Sequence, residues 1–138
     1  MKVFYDTNVI LDVLLNRVEF LSDSMAALKL SELGIVKGYI SVVSITDIFY
    51  LVKKNVKDRT LALKKREILF NVVHIAKADE KVAVQALNSH WKDFEDAVQY
   101  SVARRLRAKY IVTRNKEDFE NSEITVVTPT EFVKLMRI

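Results

Sequence analysis

Short, uninterrupted apolar runs, each followed by a longer stretch of helical periodicity, constrain this chain more than any other feature. The runs are Lys2–Tyr5, Gly38–Ser41, Val72–Ile75, Tyr110–Thr113 and Thr125–Thr128. Strands that are apolar throughout are buried on both faces, and strands separated by helices pair in parallel with helices covering each face. The intervening periods predict helices over Val9–Asn16, Leu21–Leu33, from a Ser44 or Thr46 cap to about Lys54, over Asp58–Phe70 and Asp79–Leu87, from Asp93-Phe94-Glu95-Asp96 to about Arg107, and over Thr130–Met136. Gly34 stands where a helix-ending C′ residue belongs. Two glycines and one proline in 138 residues are too few for the turns of an all-β protein or for an interdomain linker. The expected class is α/β, a three-layer α/β/α sandwich around a central parallel sheet of about five strands, forming one domain over residues 1–138.

Ligands of open parallel sheets bind beyond the carboxyl ends of the strands, so the residues just after each strand carry the functional signal. Asp6 follows the first strand in Tyr5-Asp6-Thr7-Asn8, and Asp47 lies near the start of the helix after the second, in Ser44-Ile45-Thr46-Asp47. Asp96 falls in the first turn of the helix before the fourth strand, and Asp118 follows that strand in Thr113-Arg114-Asn115-Lys116-Glu117-Asp118-Phe119. All four acids can meet at one edge of the sheet. Clustered carboxylates raise one another's pKa, and a divalent cation removes that repulsion. The chain has no cysteine, and His74 and His90 show no ligand spacing, so the donors are oxygen and the fitting cofactor is Mg²⁺ or Mn²⁺, as one or two ions. Such a site is equipped to polarise a phosphodiester and deprotonate an attacking water.

Other classes fall away. Without cysteine there is neither a disulfide framework nor a thiolate zinc site, and a reducing cytoplasm is the expected location. Asp6 and Asp12 interrupt the apolar N-terminus and no small-residue cleavage site follows, so it reads as a buried strand rather than a signal peptide. No stretch approaches the roughly 18 apolar residues of a membrane helix, and no membrane partner is expected. The net charge is +4, and setting the four clustered acids aside leaves +8 on the remainder, a balance suited to nucleic acid but met equally by an ordinary basic surface. There is no glycine-rich phosphate loop and no nucleophilic Ser or Cys motif. A phosphoryl-accepting domain would need an aspartate right after the third strand, where Ala76-Lys77-Ala78 stands.

Three motifs give a specific resemblance: Val3-Phe4-Tyr5-Asp6-Thr7-Asn8-Val9, Asp93-Phe94-Glu95-Asp96-Ala97 with Ala103 beyond it, and Ile111-Val112-Thr113-Arg114-Asn115 ending in Asp118-Phe119. In this order, and over essentially the whole chain, the sequence resembles PIN domains, above all the VapC-like toxin branch. The resemblance implies an endoribonuclease that cuts RNA with metal-activated water and leaves a 5′-phosphate and a 3′-hydroxyl. It makes Asp6 the first metal ligand, braced by Thr7 or Asn8, and Asp96 the third acid. Asp47 stands where relatives usually carry Glu, and being one methylene shorter it would reach the metal through water. Asn115 replaces an aspartate of many relatives, leaving Asp118 as the fourth acid. Thr113 and Arg114 would face the cleft, Arg114 as a phosphate ligand. Lys53-Lys54, Lys64-Lys65-Arg66 and Arg104-Arg105 with Arg107 would guide the strand. The implied partners are RNA, a second copy of the chain in a homodimer, and an antitoxin protein. Phe20, Leu21 and Met25, or Ile48, Phe49 and Leu51, are apolar enough for the antitoxin surface, and core packing accounts for the same residues.

Each acid also has a structural reading. Asp93 fits a helix N-cap, Asp96 the positive end of the same helix, Asp6 a turn with its own backbone, and Asp47 and Asp118 first-turn positions. His74, inside an apolar strand, is expected in the core, with Trp91 packed under the loop it shares with His90. Glu95 and Glu117 are expected to face solvent. Asp47 and Asn115 also keep open a catalytically degenerate PIN-like module that binds RNA or protein.

Overall fold

The computed structural model describes residues 1–137. Its strands are β1 (Lys2–Tyr5), β2 (Lys37–Ser41), β3 (His74–Ala76), β4 (Tyr110–Val112) and β5 (Thr125–Val127). They form one sheet in the order β3-β2-β1-β4-β5, and every pairing is parallel. The helices are α1 (Thr7–Leu14), α2 (Val18–Glu32), α3 (Val42–Asn55), α4 (Arg59–Val72), α5 (Glu80–Leu87), α6 (Phe94–Leu106) and α7 (Pro129–Met136), with a 3-10 turn at Lys116–Phe119.

Alternation along β1 divides the core. Val3 and Tyr5 point into one apolar cluster with residues of α1, α2, α3, α4 and α7, while Phe4 joins the other with α5, α6 and the 3-10 turn. Val3, Phe4 and Tyr5 are all fully buried, as a central strand covered on both faces requires. Phe4 sits in register with Tyr39 on one side and Ile111 on the other. Burial raises the Tyr5 phenol well above its ordinary pKa, and its hydroxyl donates to the Ala27 carbonyl at 2.9 Å, so the ring ties the sheet to α2. A Cβ on Gly38 would stand 2.4 Å from Ser31 Oγ and 2.6 Å from the Tyr5 ring, so β2 lies against α2 only because that position is glycine. Gly34, at φ +75°, closes α2: its N–H donates to Ser31 O and that of Ile35 to Leu30 O, a Schellman ending.

Several boundaries differ from the sequence expectation. Val72 ends α4 rather than beginning β3, and Ser41, not Ser44 or Thr46, caps α3 by accepting from Val43 N–H. The last helix starts one residue earlier than expected, with Pro129 in its first turn and a capping box between Thr128 and Glu131. His74 is exposed rather than packed in the core, because β3 is an edge strand; its ring lies 5.4 Å from that of Tyr39. Trp91 packs as expected, stacked on Tyr100 at 4.7 Å. Ile48 is fully buried and so forms no part of a partner surface.

Candidate active site

The strand order reverses at β1: β2 and β3 extend the sheet to one side, β4 and β5 to the other. Crevices open at such switch points, beyond the carboxyl ends of the strands on either side. Here the crevice is a cleft of about 430 Å³ that gathers Asp6, Asp47, Asp93, Glu95, Asp96 and Asp118, floored by Leu11, Leu51 and Gln99. The four acids singled out in the sequence thus share one cavity. Arg114, Asn115 and Thr113 lie outside its lining.

Asp6 leaves β1 as the N-cap residue of α1, but its side chain makes no cap hydrogen bond. Instead Thr113, fully buried at the end of β4, donates its hydroxyl to Asp6 Oδ2 at 2.8 Å, and the Thr113 oxygen accepts the Asn115 backbone N–H at 3.0 Å. The brace of Asp6 is therefore Thr113, with Thr7 contributing only its backbone N–H. Burial pushes the Asp6 carboxyl up from its ordinary range; Thr113 and the Thr7 N–H oppose that shift, and Asp118 adds to it.

Asp96 enters on the first turn of α6, where Asp93 is the N-cap and accepts the Asp96 N–H at 2.9 Å. Its carboxyl is pushed up to about 7, first by desolvation and then by repulsion from Asp93, Asp118, Asp6 and Glu95. Asp118 is exposed on the 3-10 turn and Asp47 is exposed on α3; the first repels both Asp6 and the half-buried Asp96, and the second also lines the cleft. Glu95 is exposed too, but it lines the cleft. The carboxylates line a wall rather than close around a point: among the described residues no three acidic or imidazole groups reach the spacing of a formed ion site.

Two groups of residues escaped the sequence reading. Gln99 is buried one turn beyond Asp96, and its amide nitrogen donates to Ser44 Oγ at 2.6 Å and to Thr7 Oγ1 at 3.1 Å. Thr7 in turn donates to Ser44 at 2.8 Å, so a three-membered polar knot joins α1, α3 and α6, the helices that border the acidic residues. Gln99 Oε1 is buried without a partner among the described residues. The i, i+3 spacing from Asp96 was the available signal.

The second group surrounds Asp12, fully buried on α1. Arg114 grips it with Nε at 2.7 Å and Nη2 at 3.1 Å, Ser24 donates at 2.8 Å, and Arg17 Nη1 lies 3.5 Å away. The Arg114 guanidinium also lies 3.7 Å from the centre of the Phe20 ring. Arg114 is thus held on Asp12 rather than turned to the cleft, and Phe20 is half-covered beneath it. Asn8, expected to brace Asp6, accepts a 3.4 Å hydrogen bond from Arg17. An aspartate amid Val9, Ile10, Leu11 and Leu14 was the sequence sign of this cluster.

Fold and site together define a doubly wound α/β domain with an acidic cleft at its switch point. The comparisons give that class a family: residues 2–117 match the profile described as PIN domain, and the chain belongs to that family. It is 28% identical over 134 residues to Ribonuclease VapC1 of Aquifex aeolicus (strain VF5), covering 95% of this chain and 92% of that one. The fold is similar to that in a toxin-antitoxin complex from Klebsiella pneumoniae, with TM-score 0.70 and 22% identity over 94% of this chain and 98% of that one. It is also similar to VapBC2 from Rickettsia felis bound to a DNA fragment from its promoter, with TM-score 0.67 and 17% identity over 92% and 97%. No helix among the described residues is long and apolar enough to cross a membrane.

Proposed function

We propose that this chain is a divalent-metal-dependent endoribonuclease, the toxin member of a toxin–antitoxin pair, which works in the cytoplasm as a homodimer and hydrolyses RNA to a 5′-phosphate and a 3′-hydroxyl. The observation that carries the reading is the meeting of Asp6 and Asp96, 90 residues apart, in one cleft where burial raises both carboxyls, Asp118 pushes each further up and Asp6 adds to the shift of Asp96. The likeness to a named ribonuclease over nearly the full length supports the same reading.

The donors suit Mg²⁺ or Mn²⁺. They are all oxygen, they repel one another, and neither histidine lines the cleft. Asp6, Asp96 and Asp118 would hold the cation, with Asp47 joining through water. When bound, such an ion polarises the phosphodiester and lowers the pKa of water enough to supply a hydroxide nucleophile.

The chain's own residues prepare that chemistry. The Thr113 hydroxyl is locked between the Asn115 N–H and Asp6, so Asp6 meets its ligand in a fixed orientation. The knot of Thr7, Ser44 and Gln99 sets the spacing between α6, which carries Asp96, and α1, which begins beside Asp6. Leu11 and Leu51 supply an apolar floor that limits water around the carboxylates.

The test is RNA cleavage in Mn²⁺ against EDTA, with product ends mapped. Asp6→Asn and Asp96→Asn should each remove several kcal/mol of stabilisation, roughly a thousandfold in rate, with circular dichroism unchanged. Undiminished cleavage by both variants removes this chemistry. A wild-type chain whose melting temperature shows no saturable response to Mn²⁺ is instead a binding module on the same fold.

A further inference from the structure

The opposite side of α3 carries a second cavity, of about 750 Å³, between α3 and α4. Its lining includes Lys53, Lys54, Lys57, Arg59 and Arg66 and not one acidic residue. None of the five forms an ion pair among the described residues. Of the two acids adjacent to them in sequence, Asp58 is occupied in capping α4, where it accepts from Thr60 and Leu61 N–H, and Glu67 is exposed outside the lining. Phe49 and Val52 give the groove an apolar floor, and the Arg66 guanidinium lies 5.1 Å from the Phe49 ring centre.

One helix separates this basic groove from the acidic cleft. Asp47, Tyr50 and Leu51 line the cleft, while Phe49, Val52 and Lys53 line the groove. Asp47 and Lys53 are six residue steps apart along α3, roughly 9 Å at helical rise. A polyanion is repelled by the cleft and drawn to the groove, so a chain occupying both must be held by the second in order to enter the first. An acidic peptide would gain nothing from the cleft, and a flexible phosphodiester strand with stackable bases satisfies both the cations and the aromatic floor.

We propose that the α3–α4 groove is a binding site for single-stranded nucleic acid that seats the strand flanking the scissile phosphate. The proposal rests on the ribonuclease reading for what the neighbouring cleft does, but binding in the groove is measurable without cleavage.

Fluorescence anisotropy of a labelled single-stranded RNA oligonucleotide in EDTA, over a series of salt concentrations, reads the groove alone. The K53Q/K57Q double variant should weaken binding and reduce the slope of log affinity against log salt by about 0.7 per lost phosphate contact. A charge-matched variant at exposed sites away from the groove, K81Q/K134Q, should leave the slope in place, and melting temperatures of both should equal that of the wild type. Equal slopes in the two variants, or no binding by the wild type, overturn the proposal. So does a polyglutamate peptide of matched charge that displaces the RNA with equal affinity, since it makes the groove a site for acidic protein. Slope loss in K53Q/K57Q without Mn²⁺-dependent cleavage by the wild type keeps the groove and removes the nuclease reading; cleavage with unchanged binding does the reverse.

Discussion

The short segment from Asp6 to Asp12 supplies a buried carboxylate to each of two neighbouring regions, and the regions treat it in opposite ways. Asp12, fully buried, is gripped by Arg114, approached by Arg17 and bonded by Ser24, so its charge is compensated from within the chain. Asp6, 8% exposed, receives one hydroxyl and faces further acids across the cleft. Burial alone therefore does not mark a functional carboxylate. What separates the two is that the fold sets guanidinium groups directly on Asp12 and none on Asp6.

The largest effect that would sharpen this contrast is on the compensated side. Arg114→Met should leave Asp12 buried with the Ser24 hydroxyl and only the looser Arg17 contact as counter-charge, costing about 3 kcal/mol of stability, a drop in melting temperature of roughly 10 °C. Reduced RNA affinity with an unchanged melting temperature would break the distinction, because it would make Arg114 a substrate ligand. On the uncompensated side, Gln99→Met keeps the volume but cuts α6 loose from Thr7 and Ser44. The Mn²⁺ concentration at half-maximal cleavage should rise by about tenfold with little change in melting temperature; an unaltered half-saturation would confine Gln99 to packing.

The smallest effect is in pH dependence. An unfolded aspartate loses its proton near pH 4, while folded Asp96 keeps it up to about 7. Between these values the folded state binds the extra proton, so metal-free stability falls as pH rises. Asp96→Asn abolishes that contribution and should gain a few degrees in melting temperature over the wild type between pH 5 and pH 8 in EDTA. Parallel melting curves across that range would show that the cleft carries no electrostatic strain at Asp96. Because proton and cation compete for the same oxygens, wild-type affinity for Mn²⁺ should rise with pH up to about 7.

The sheet was legible in the sequence because every strand is a continuous apolar run bounded by polar residues, and parallel pairing followed from that burial. The edge was not: His74 lies in a run as apolar as the others, and only the strand order tells that β3 has a single neighbour. Among the acids, position after a strand found Asp6 and Asp118 and a place near a helix start found Asp47 and Asp96, while Asp93 and Glu95, which line the same cleft, were read as a cap and as solvent-facing. The partners of those acids were harder to read. Thr113 was placed near the site, but its contact with Asp6 spans 107 residues. Arg114 looked like a phosphate ligand because its competitor, Asp12, sits on another element, 102 residues away. Local spacing reports which side chains a helix or strand presents together; it is silent on which distant charge reaches a guanidinium first.

The placement of β1 has a consequence for how the molecule comes into being. The strand at the middle of the sheet precedes both of its neighbours in the chain, which arrive at Lys37–Ser41 and then only at Tyr110–Val112. A chain emerging from the ribosome can fold β1 against β2 long before β4 exists, but until then Asp6 lacks the Thr113 hydroxyl and has no Asp118 across from it. Contacts so distant in sequence form late and slowly. The Thr113 brace on Asp6 and the acid across the cleft are thus completed only once Asp118 has been translated, long after β1 and β2 have met.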